Sequence, residues 1–425
     1  MTATVGLFGF FGLLMLLRIP VAISLTMSCA VFLALSGFNL YMIPQRMFTS
    51  LDSTTLMAIP GFVFAGAIMA KGGIAKYLIN ALRCWLGHLP GGLAVVAIFA
   101  CALFAAISGS SPATAAAIGS IMIPAMVDAG YDKKYSMGLV AAAGTLGILI
   151  PPSVPMIIYG TVSESSIGKL FTAGIIPGIM LTLILMVSAV VRAKIGNHGR
   201  EEKVPLADRW KPSLKAIWAA LLPVVILGGI YGGIVTPTEA SVLAAVYAII
   251  VSVFIYRELS WTEFKKVAMD TVNTTGMIFL IIAGAMIFGM YLTNEQIPQK
   301  ITAMITDSNL SYWGFLVIIS LVFFVLGTFL EAVAIILITL PLLMPVFQAL
   351  NINIYHFAVI MVINLEIAMI TPPVGLNLFV VSSIGKSKLG DVVKGVFPFI
   401  GLMIIGMIIT MIFPKISLFL VDLMK

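Results

Sequence analysis

The chain carries two proline pairs, Pro151-Pro152 and Pro372-Pro373, and each pair interrupts a long apolar segment. The pairs lie 221 positions apart, and the same offset relates Pro124 to Pro345, Gly174 to Gly395 and Pro177 to Pro398. We interpret five coincidences at one offset as a duplication of the chain. Interrupted apolar segments at corresponding positions of two halves are typical of a transporter's binding site, because unwound backbone at membrane depth requires protein or a water-filled cavity around it.

The composition places this duplicated chain in a lipid bilayer. Of its 425 residues, 61% are apolar and 10% are charged, whereas soluble domains carry about 25% charged residues. The mean hydropathy is +1.14. We therefore predict an all-α polytopic membrane protein, since helices satisfy their own backbone in lipid. The three cysteines and three histidines are scattered without metal-ligand spacing, so neither a transition-metal site nor a cofactor is expected.

Apolar segments predict ten membrane spans, five in each half. They cover 4–17, 20–38, 54–70, 134–163 and 167–191, and then 216–235, 238–256, 270–292, 354–384 and 390–414. Two further pairs of apolar segments are joined by links too short to carry the chain into a fresh span; they are 90–108 with 112–127 and 311–328 with 331–349. We predict that each pair forms a re-entrant hairpin, with tips at 108–113 and 327–332.

The distribution of Lys and Arg supports this topology. With the segment between Arg192 and Lys215 in the cytoplasm, the cytoplasmic loops hold 19 of the 24 basic residues and the outer side holds five, as the positive-inside rule requires. Five spans per half is an odd number, so the second half enters the membrane upside down. The prediction is a pair of inverted repeats with both termini on the outer, periplasmic side. The net charge of +7 reflects this bias and does not indicate a nucleic-acid partner.

We divide the chain into a first repeat over 1–191, a cytoplasmic linker over 192–215 and a second repeat over 216–425. Within the repeats, scaffold spans cover 1–72 and 216–292, interfacial arms cover 73–87 and 293–310, and a hairpin with a broken helix covers 88–191 and 311–425. Thr236 and Glu239 have the spacing of a capping box, which predicts a structural helix start at the outer surface.

Small and hydroxyl-bearing residues cluster at the four predicted half-helix ends near the bilayer midplane. Half-helix N-termini attract anions, and exposed carbonyls hold Na⁺. We predict two or more Na⁺ sites built from Ser108, Gly109, Gly144, Thr145, Gly147, Gly327, Thr328, Glu366, Thr371 and Gly375. The predicted substrate contacts are Ser110, Ser111, Ser153, Glu331 and Asn377. The alternative is that such small residues only permit close helix packing.

Two carboxylates, Glu331 and Glu366, are the only ones of the seventeen acidic residues that we place at membrane depth. An ionisable group there is expensive and is usually functional. Each could bind a cation, carry a proton or repel a wrong substrate. For each, the alternative is a structural carboxylate satisfied by neighbouring helix ends.

The sequence lacks the motifs of an ATPase or of a hydrolytic enzyme. Neither a Walker A motif nor HExxH nor CxxC occurs, and no Ser-His-Asp arrangement is recognisable. We therefore predict that the chain is not an enzyme and that transport draws on an ion gradient. A channel would need a pore ring built by oligomer symmetry rather than internal inverted repeats.

Four motifs, in this order along the chain, resemble one family. They are GSSPATAAAIGSIMIP at 109–124, GTLGILIPPS at 144–153, TPTEA at 236–240 and NLEIAMITPPVGLNLF at 364–379. Together they are similar to the large membrane subunit of tripartite ATP-independent periplasmic (TRAP) transporters, a family of the ion-transporter superfamily. The family pattern often holds Asp at the position of Glu331.

The resemblance implies a Na⁺-driven secondary importer of an organic acid, of the sialic acid or C4-dicarboxylate class, in the bacterial inner membrane. It implies an elevator motion, in which hairpins and broken helices move as one transport block against a fixed scaffold. It also implies two partners, a small four-helix membrane subunit on a separate polypeptide and a periplasmic substrate-binding protein. The alternative is a stand-alone Na⁺- or H⁺-coupled carboxylate transporter of the same superfamily.

Overall fold

The computed structural model describes residues 2–196 and 201–424, with residues 2–5 and 196 described by their backbone alone. This part of the chain is helical and contains no strand, which confirms the predicted all-α class. The helices of the first half are α1 (Thr2–Leu16), α2 (Val21–Leu35), α3 (Met42–Leu51), α4 (Ala58–Lys71), α5 (Ile74–Leu86), α6 (Gly92–Ser108), α7 (Ser111–Asp128), α8 (Lys133–Thr145), α9 (Val154–Val162) and α10 (Ile167–Gly196). Those of the second half are α11 (Leu206–Tyr231), α12 (Pro237–Ile250), α13 (Trp261–Asn294), α14 (Ile297–Asp307), α15 (Tyr312–Gly327), α16 (Ala332–Ala349), α17 (Ile354–Ala368), α18 (Leu376–Gly385), α19 (Leu389–Ile412) and α20 (Lys415–Leu423).

The helix boundaries repeat at the offset of 221 positions that relates the proline pairs. Helix α7 and helix α16 correspond residue for residue, and α6, α8 and α10 correspond to α15, α17 and α19 within a few residues at each end. Both proline pairs fall between the helices of a broken pair, α8 with α9 and α17 with α18, and both Pro–Pro bonds are cis. The duplication therefore extends from sequence to secondary structure.

Each predicted hairpin is a pair of helices with a short tip. Gly109 and Ser110 join α6 to α7, and the four residues 328–331 join α15 to α16. In the first tip Gly109 has φ +60°, in the left-handed region that favours glycine. Both tips lie where the sequence predicts them.

The scaffold departs from the symmetry of the repeats. Helix α13 is continuous over 34 residues, whereas its counterpart in the first half is divided into α3 and α4 by the irregular segment 52–57. Helix α5 then bends by 62° from α4. The arm α5 packs against the hairpin helix α6, and the arm α14 packs against the hairpin helix α16. Each arm thus contacts the hairpin of its own repeat.

Close packing of small residues holds α4 against α12. A Cβ atom at Gly61 would overlap Ser241, and one at Gly72 would overlap Ser252. The two contacts lie three turns apart along α4, so the two backbones remain close over the length of the helix. This is the small-residue packing that membrane helices use when lipid offers no hydrophobic driving force between them.

The predicted linker over 192–215 is shorter in the structure. Helix α10 continues to Gly196 and α11 already begins at Leu206, because both helices extend beyond their apolar spans into charged sequence. Residues 197–200 of the linker lie outside the described residues. Helix α20 was not predicted as a separate element.

Six helices of the described part are long and apolar enough to cross a membrane, and the bent pair α4–α5 would make seven. They are α10, α11, α12 with the π-helical turn that follows it, α13, α16 and α19. Helix α16 belongs to this set by length, although the sequence predicts it as one arm of a re-entrant hairpin. The halves of the broken helices are too short to qualify singly. The ten-span inverted topology stays a prediction.

Candidate functional site

A cavity of about 310 Å³ lies where the two hairpin tips and the two helix breaks come together. The first hairpin contributes its whole tip, residues 108–113, and the second contributes residues 331–333. The breaks contribute Val154 and Met369, and the opposite wall comes from α4 and α13. Segments far apart in the sequence thus enclose one space, which we call the transport cavity.

The tip of the first hairpin lies across the first break. The backbone N–H of Val154 donates a long hydrogen bond of 3.4 Å to the carbonyl of Gly109. A Cβ atom at Gly109 would stand 2.7 Å from the carbonyl oxygen of Pro152. Only a glycine therefore lets the tip backbone approach the break this closely.

Hydroxyl groups link the two sides of the first tip. The Ser108 and Thr114 hydroxyls lie 2.8 Å apart, and Thr114 Oγ1 donates to the carbonyl of Ser110 at 2.8 Å. Thr114 is absent from the predicted site. Its signal in the sequence is its spacing of four residues from Ser110, which places its hydroxyl under the tip once the helix forms.

Helix α8 ends against the first tip through glycines. A Cβ atom at Gly144 would lie 2.7 Å from Cβ of Ala115, and one at Gly147 would lie 2.7 Å from the carbonyl oxygen of Ser110. Thr145 is fully buried, and its hydroxyl donates to the carbonyl of Ala142 at 2.7 Å, which leaves the oxygen lone pairs free to accept.

Ser153 caps the second half of the first broken helix. Its hydroxyl accepts from the backbone N–H of Met156 at 3.3 Å and donates to the carbonyl of Ile148. Ser153 is fully buried and is not among the residues that line the transport cavity. The geometry of this predicted substrate contact is that of a helix N-cap.

The second tip and the second break repeat the arrangement of the first. The backbone N–H of Val374 donates to the carbonyl of Thr328 at 3.2 Å. Gly327 lies so close to Ala368 that a Cβ atom there would overlap it. Thr371 Oγ1 donates to the carbonyl of Ile367 at 2.7 Å, and Gly375, with φ +40°, is the N-cap residue of α18.

Asn377 connects the two halves of the site. Its side chain is fully buried, and Nδ2 donates to Ser111 Oγ at 2.8 Å and to the carbonyl of Ala141 at 3.0 Å. Its Oδ1 has no hydrogen-bond partner within the described part of the chain. Helix α18 of the second repeat is thereby tied to α7 and α8 of the first.

The two predicted intramembrane carboxylates occupy different surroundings. Glu331 stands at the N-cap position of α16 without capping it, is partly exposed and lines the transport cavity. Glu366 is fully buried in α17 and lies outside the cavity lining. Neither of its carboxylate oxygens has a hydrogen-bond partner among residues 2–196 and 201–424.

Asp270 adds a third carboxylate, which the sequence analysis did not include in the site. It lines the transport cavity from α13, with Thr271 and Thr274 beside it. The predicted span began at Asp270 itself, whereas α13 begins at Trp261, so Asp270 lies more than two turns inside the helix. Among the described residues that line the cavity, none is Lys or Arg.

The structure thus sorts the predicted site residues into two groups. Those that line the transport cavity are Ser108, Gly109, Ser110, Ser111 and Glu331. Those that lie outside its lining are Gly144, Thr145, Gly147, Ser153, Gly327, Thr328, Glu366, Thr371, Gly375 and Asn377. Two of the second group support the first tip from behind: Gly147 lets the break approach the carbonyl of Ser110, and Asn377 donates to Ser111.

Comparisons with known proteins agree on one family. Residues 8–416 match the family model described as the tripartite ATP-independent periplasmic transporter, DctM component. The chain is 45% identical over 373 residues to the C4-dicarboxylate TRAP transporter large permease protein DctM of Pseudomonas aeruginosa, covering 88% of this chain and 87% of that one. It is 37% identical over 396 residues to the sialic acid TRAP transporter large permease protein SiaM of Vibrio cholerae, covering 92% of each.

One solved structure shares the fold at low sequence identity. The YdaH transporter of Alcanivorax borkumensis superimposes with a TM-score of 0.60 at 14% identity, covering 89% of this chain and 86% of that one. The match supports the helical membrane-transporter fold alone.

Proposed function

The chain belongs to the family of DctM components of tripartite ATP-independent periplasmic transporters, and from that premise we propose that it is the large membrane subunit of a Na⁺-driven importer of a small organic acid. The observation that carries the proposal is the transport cavity, in which two hairpin tips and two helix breaks converge. Its described lining combines two carboxylates with no basic side chain. It therefore has the composition of a site that attracts cations.

Cation coupling follows from the electrostatics of this lining. Asp270 and Glu331 would repel an organic anion, and no Lys or Arg of the described residues lines the cavity to neutralise it. The anion must therefore enter with bound cations. Na⁺ is held by neutral oxygens and exposed carbonyls at half-helix ends, and such groups surround both tips.

Two or more Na⁺ ions are assigned to the two tip–break pairs. The first ion would draw on Ser108, Gly109, Gly144, Thr145 and Gly147, and the second on Gly327, Thr328, Glu366, Thr371 and Gly375. The glycines support the assignment because their lack of Cβ lets tip and break backbones approach each other. Among the described residues no cluster of three His, Cys, Asp or Glu side chains has the geometry of a metal site. The proposed coordination therefore combines backbone carbonyls and hydroxyls with the Glu366 carboxylate.

The substrate would lie in the transport cavity against Ser110, Ser111 and Glu331. Helix α7 begins at Ser111 and α16 begins at Ala332, so two helix N-termini border the cavity and present partial positive charge to a carboxylate. Asn377 would act through Ser111, to which it donates a hydrogen bond. Ser153, whose hydroxyl caps α9, would shape the break rather than contact the substrate.

Cavity size favours a C4-dicarboxylate over a sialic acid. The volume of about 310 Å³ is at the lower end of the range of roughly 300–1,000 Å³ for ligand pockets. A four-carbon diacid suits such a space better than a nine-carbon sugar acid. The identity of 45% to a C4-dicarboxylate permease, against 37% to a sialic acid permease, points the same way.

An elevator motion is the transport mechanism that we propose. Backbone hydrogen bonds join each hairpin tip to its break, which favours movement of the four segments as one block. The scaffold helix α4 meets this block through a close van der Waals contact at Gly66 and Ser108. The chain would lie in the bacterial inner membrane with both termini in the periplasm. Its partners would be a small four-helix membrane subunit and a periplasmic substrate-binding protein.

Uptake into proteoliposomes tests the proposal. The complex of this chain with its small subunit would be supplied with a labelled C4-dicarboxylate or sialic acid, with and without an inward Na⁺ gradient and the binding protein. We expect C4-dicarboxylate uptake that requires both. Uptake that needs Na⁺ or H⁺ but no binding protein would establish the alternative, a stand-alone carboxylate transporter of the same superfamily.

The acidic lining is tested by Asp270→Asn. Loss of one cavity carboxylate should weaken cation attraction and raise the Na⁺ concentration at half-maximal uptake several-fold. Asp307→Asn, on the exposed surface of α14, is the matched control and should leave the Na⁺ concentration at half-maximal uptake unchanged. An unchanged Na⁺ dependence in Asp270→Asn would remove the electrostatic basis of the proposal.

A further inference from the structure

An apolar groove runs along α10 from Ile176 to Ile195, with a volume of about 860 Å³. We call it the α10 groove. All of its lining residues belong to α10 except Leu402 of α19, and all are apolar except Ser188 and Arg192. It is separate from the transport cavity, with which it shares no lining residue. The groove is therefore a feature that the proposed transport mechanism does not use.

The length of the α10 groove matches that of a lipid chain. Helix α10 is long and apolar enough to cross a membrane, and its stripe of exposed side chains at Ile179, Leu183, Val187 and Val191 repeats every four residues along one face. The sixteen residues from Ile176 to Arg192 span about 24 Å of helix. The hydrocarbon core of a bilayer is about 30 Å thick, so the groove can hold the whole acyl chain of a lipid from one leaflet.

Arg192 places a fixed positive charge at one end of this groove. Its side chain is exposed, and its guanidinium carbon lies 4.4 Å from the centroid of the Tyr135 ring. Tyr135 is itself buried on α8. Contact with the face of a buried ring orients the guanidinium plane and leaves the N–H donors at its edge free for other partners.

The charge of Arg192 is not neutralised by the protein. Neither Arg192 nor the exposed Lys194 nearby has an ion pair in the described part of the chain. Glu201, the first acidic residue that follows α10 in the sequence, pairs with Arg83 instead. The predicted topology puts this end of α10 on the cytoplasmic side. The groove thus combines an apolar wall at membrane depth with unpaired positive charge at the inner membrane surface.

We propose that the α10 groove binds a phospholipid of the inner leaflet that has an anionic headgroup. Its acyl chain lies along α10, and its phosphate accepts hydrogen bonds from Arg192, whose planar fork of donors matches phosphate oxygens. A helix of a partner subunit would fit the apolar wall but would leave this arginine without a counter-charge. Because α10 belongs to the hairpin and broken-helix block, the lipid would travel with that block in the proposed elevator.

The test is photolabelling of the reconstituted complex of large and small subunits with phospholipids that carry a photoreactive group in the acyl chain. An anionic phosphatidylglycerol probe and a zwitterionic phosphatidylcholine probe are compared in vesicles of one composition, and mass spectrometry locates the labelled residues. We expect the anionic probe to label α10 between Ile176 and Arg192 several-fold more than the zwitterionic probe does.

Two variants assign that preference to Arg192. Arg192→Gln should make the two probes label α10 equally while keeping the zwitterionic labelling, because the apolar wall is unchanged. The matched control is Lys266→Gln, which removes an exposed basic residue without an ion pair from the predicted cytoplasmic end of α13. It should keep the wild-type preference. Both variants are compared with wild type at equal amounts of assembled complex.

Three results would overturn the inference. Equal labelling of α10 by both probes in the wild type would make the groove an ordinary lipid-facing surface. Absence of label from α10 would show that the small subunit or a second copy of the chain covers the groove. A preference that survives in Arg192→Gln would remove the proposed headgroup contact. None of these measurements is uptake, so they test the lipid site separately from the proposed importer.

Discussion

Asn377 links the second repeat to the tip helix of the first by a hydrogen bond. It donates to Ser111 and to the carbonyl of Ala141, and it is fully buried. A buried amide with both N–H groups engaged leaves little freedom for Ser111 to turn away. The position of a proposed substrate contact in one half is therefore set by a residue of the other half.

Replacing Asn377 with Ala should abolish uptake and lower stability. The free energy of unfolding should fall by about 1–3 kcal/mol, because a buried carbonyl and a buried hydroxyl lose their donor. Asn364→Ala is the matched control: Asn364 is also buried and makes two hydrogen bonds, to Ser320 and to Ile360, but both remain within the second repeat. Thermal unfolding in detergent should fall in both variants, whereas uptake per folded protein should fail in Asn377→Ala alone. Equal uptake by both would contradict a positioning role.

Glu366 presents the opposite situation, a buried acid with no partner at either oxygen in the described residues. An uncompensated carboxylate in such a place costs several kcal/mol, so it must hold either a cation or a proton. We expect Glu366→Gln to fold with unchanged stability and to raise the Na⁺ concentration needed for half-maximal uptake. Na⁺ titration of uptake, with thermal unfolding measured in parallel, checks this. Wild-type Na⁺ dependence in the variant would mean that Glu366 is a neutral structural acid.

At the scale of elements, the contact between α4 and the first hairpin bears on the proposed elevator motion. A Cβ atom at Gly66 would stand 2.9 Å from Cα of Ser108, closer than side-chain atoms approach a backbone. In the proposed elevator motion, the absence of a side chain at this contact would let the tip move past α4 without a steric clash.

Gly66→Val should therefore slow uptake by at least about tenfold, equivalent to about 1.4 kcal/mol on the barrier, while the complex still assembles. The control is Gly276→Val, since Gly276 lies on the scaffold helix α13, where an added Cβ atom would meet no neighbouring atom of the described residues within 4 Å. Initial rates of uptake, compared at equal amounts of assembled complex, distinguish the two. A normal rate for Gly66→Val would show that α4 does not border the sliding surface.

Glu258 joins the arm α5 to the segment between α12 and α13. Glu258 accepts from Lys76 Nζ at 2.8 Å and from the Tyr77 hydroxyl at 3.1 Å. The hydrogen bond and charge of Glu258 raise the pKa of Lys76 above its usual value. A raised lysine pKa contributes stability below the unfolded-state pKa, and that contribution is lost only as the pH rises through the folded-state value.

Glu258→Gln should accordingly cost at most about 1 kcal/mol, since Lys76 is largely exposed and exposed ion pairs contribute little. The difference from wild type should stay constant between about pH 6 and about pH 9, well below the lysine pKa. Unfolding midpoints measured across that range check both statements. Glu202→Gln, an exposed carboxylate without an ion pair in the described residues, should have no effect. A difference that varied strongly near neutral pH would assign the contact to another titrating group.

At the scale of the whole molecule, features that occur twice in the sequence could be predicted, whereas contacts between residues far apart in the sequence could not. The tips and breaks were predictable because Gly, Ser and Pro interrupt apolar segments twice at one offset. Asp270 was not, because it lies inside a regular helix and reaches the cavity only when distant helices pack together. Thr114 was missed although its bonds to Ser108 and Ser110 are local. The bond from Asn377 to Ser111 joins residues 266 positions apart, and no local pattern encodes such a pairing.

The interruption between α3 and α4, opposite the unbroken α13, makes the two repeats unequal. In an elevator built from identical inverted repeats, exchanging their conformations would turn the outward-facing state into the inward-facing one at no cost in free energy. Here the exchange would require the continuous helix α13 to adopt the interrupted conformation of α3 and α4. The two orientations then differ in energy even with no ligand or gradient, and cysteine labelling from either side of Na⁺-free vesicles would measure the difference. If the proposed elevator operates, the empty carrier should therefore populate one orientation more than the other, while the gradients alone set the net direction of transport.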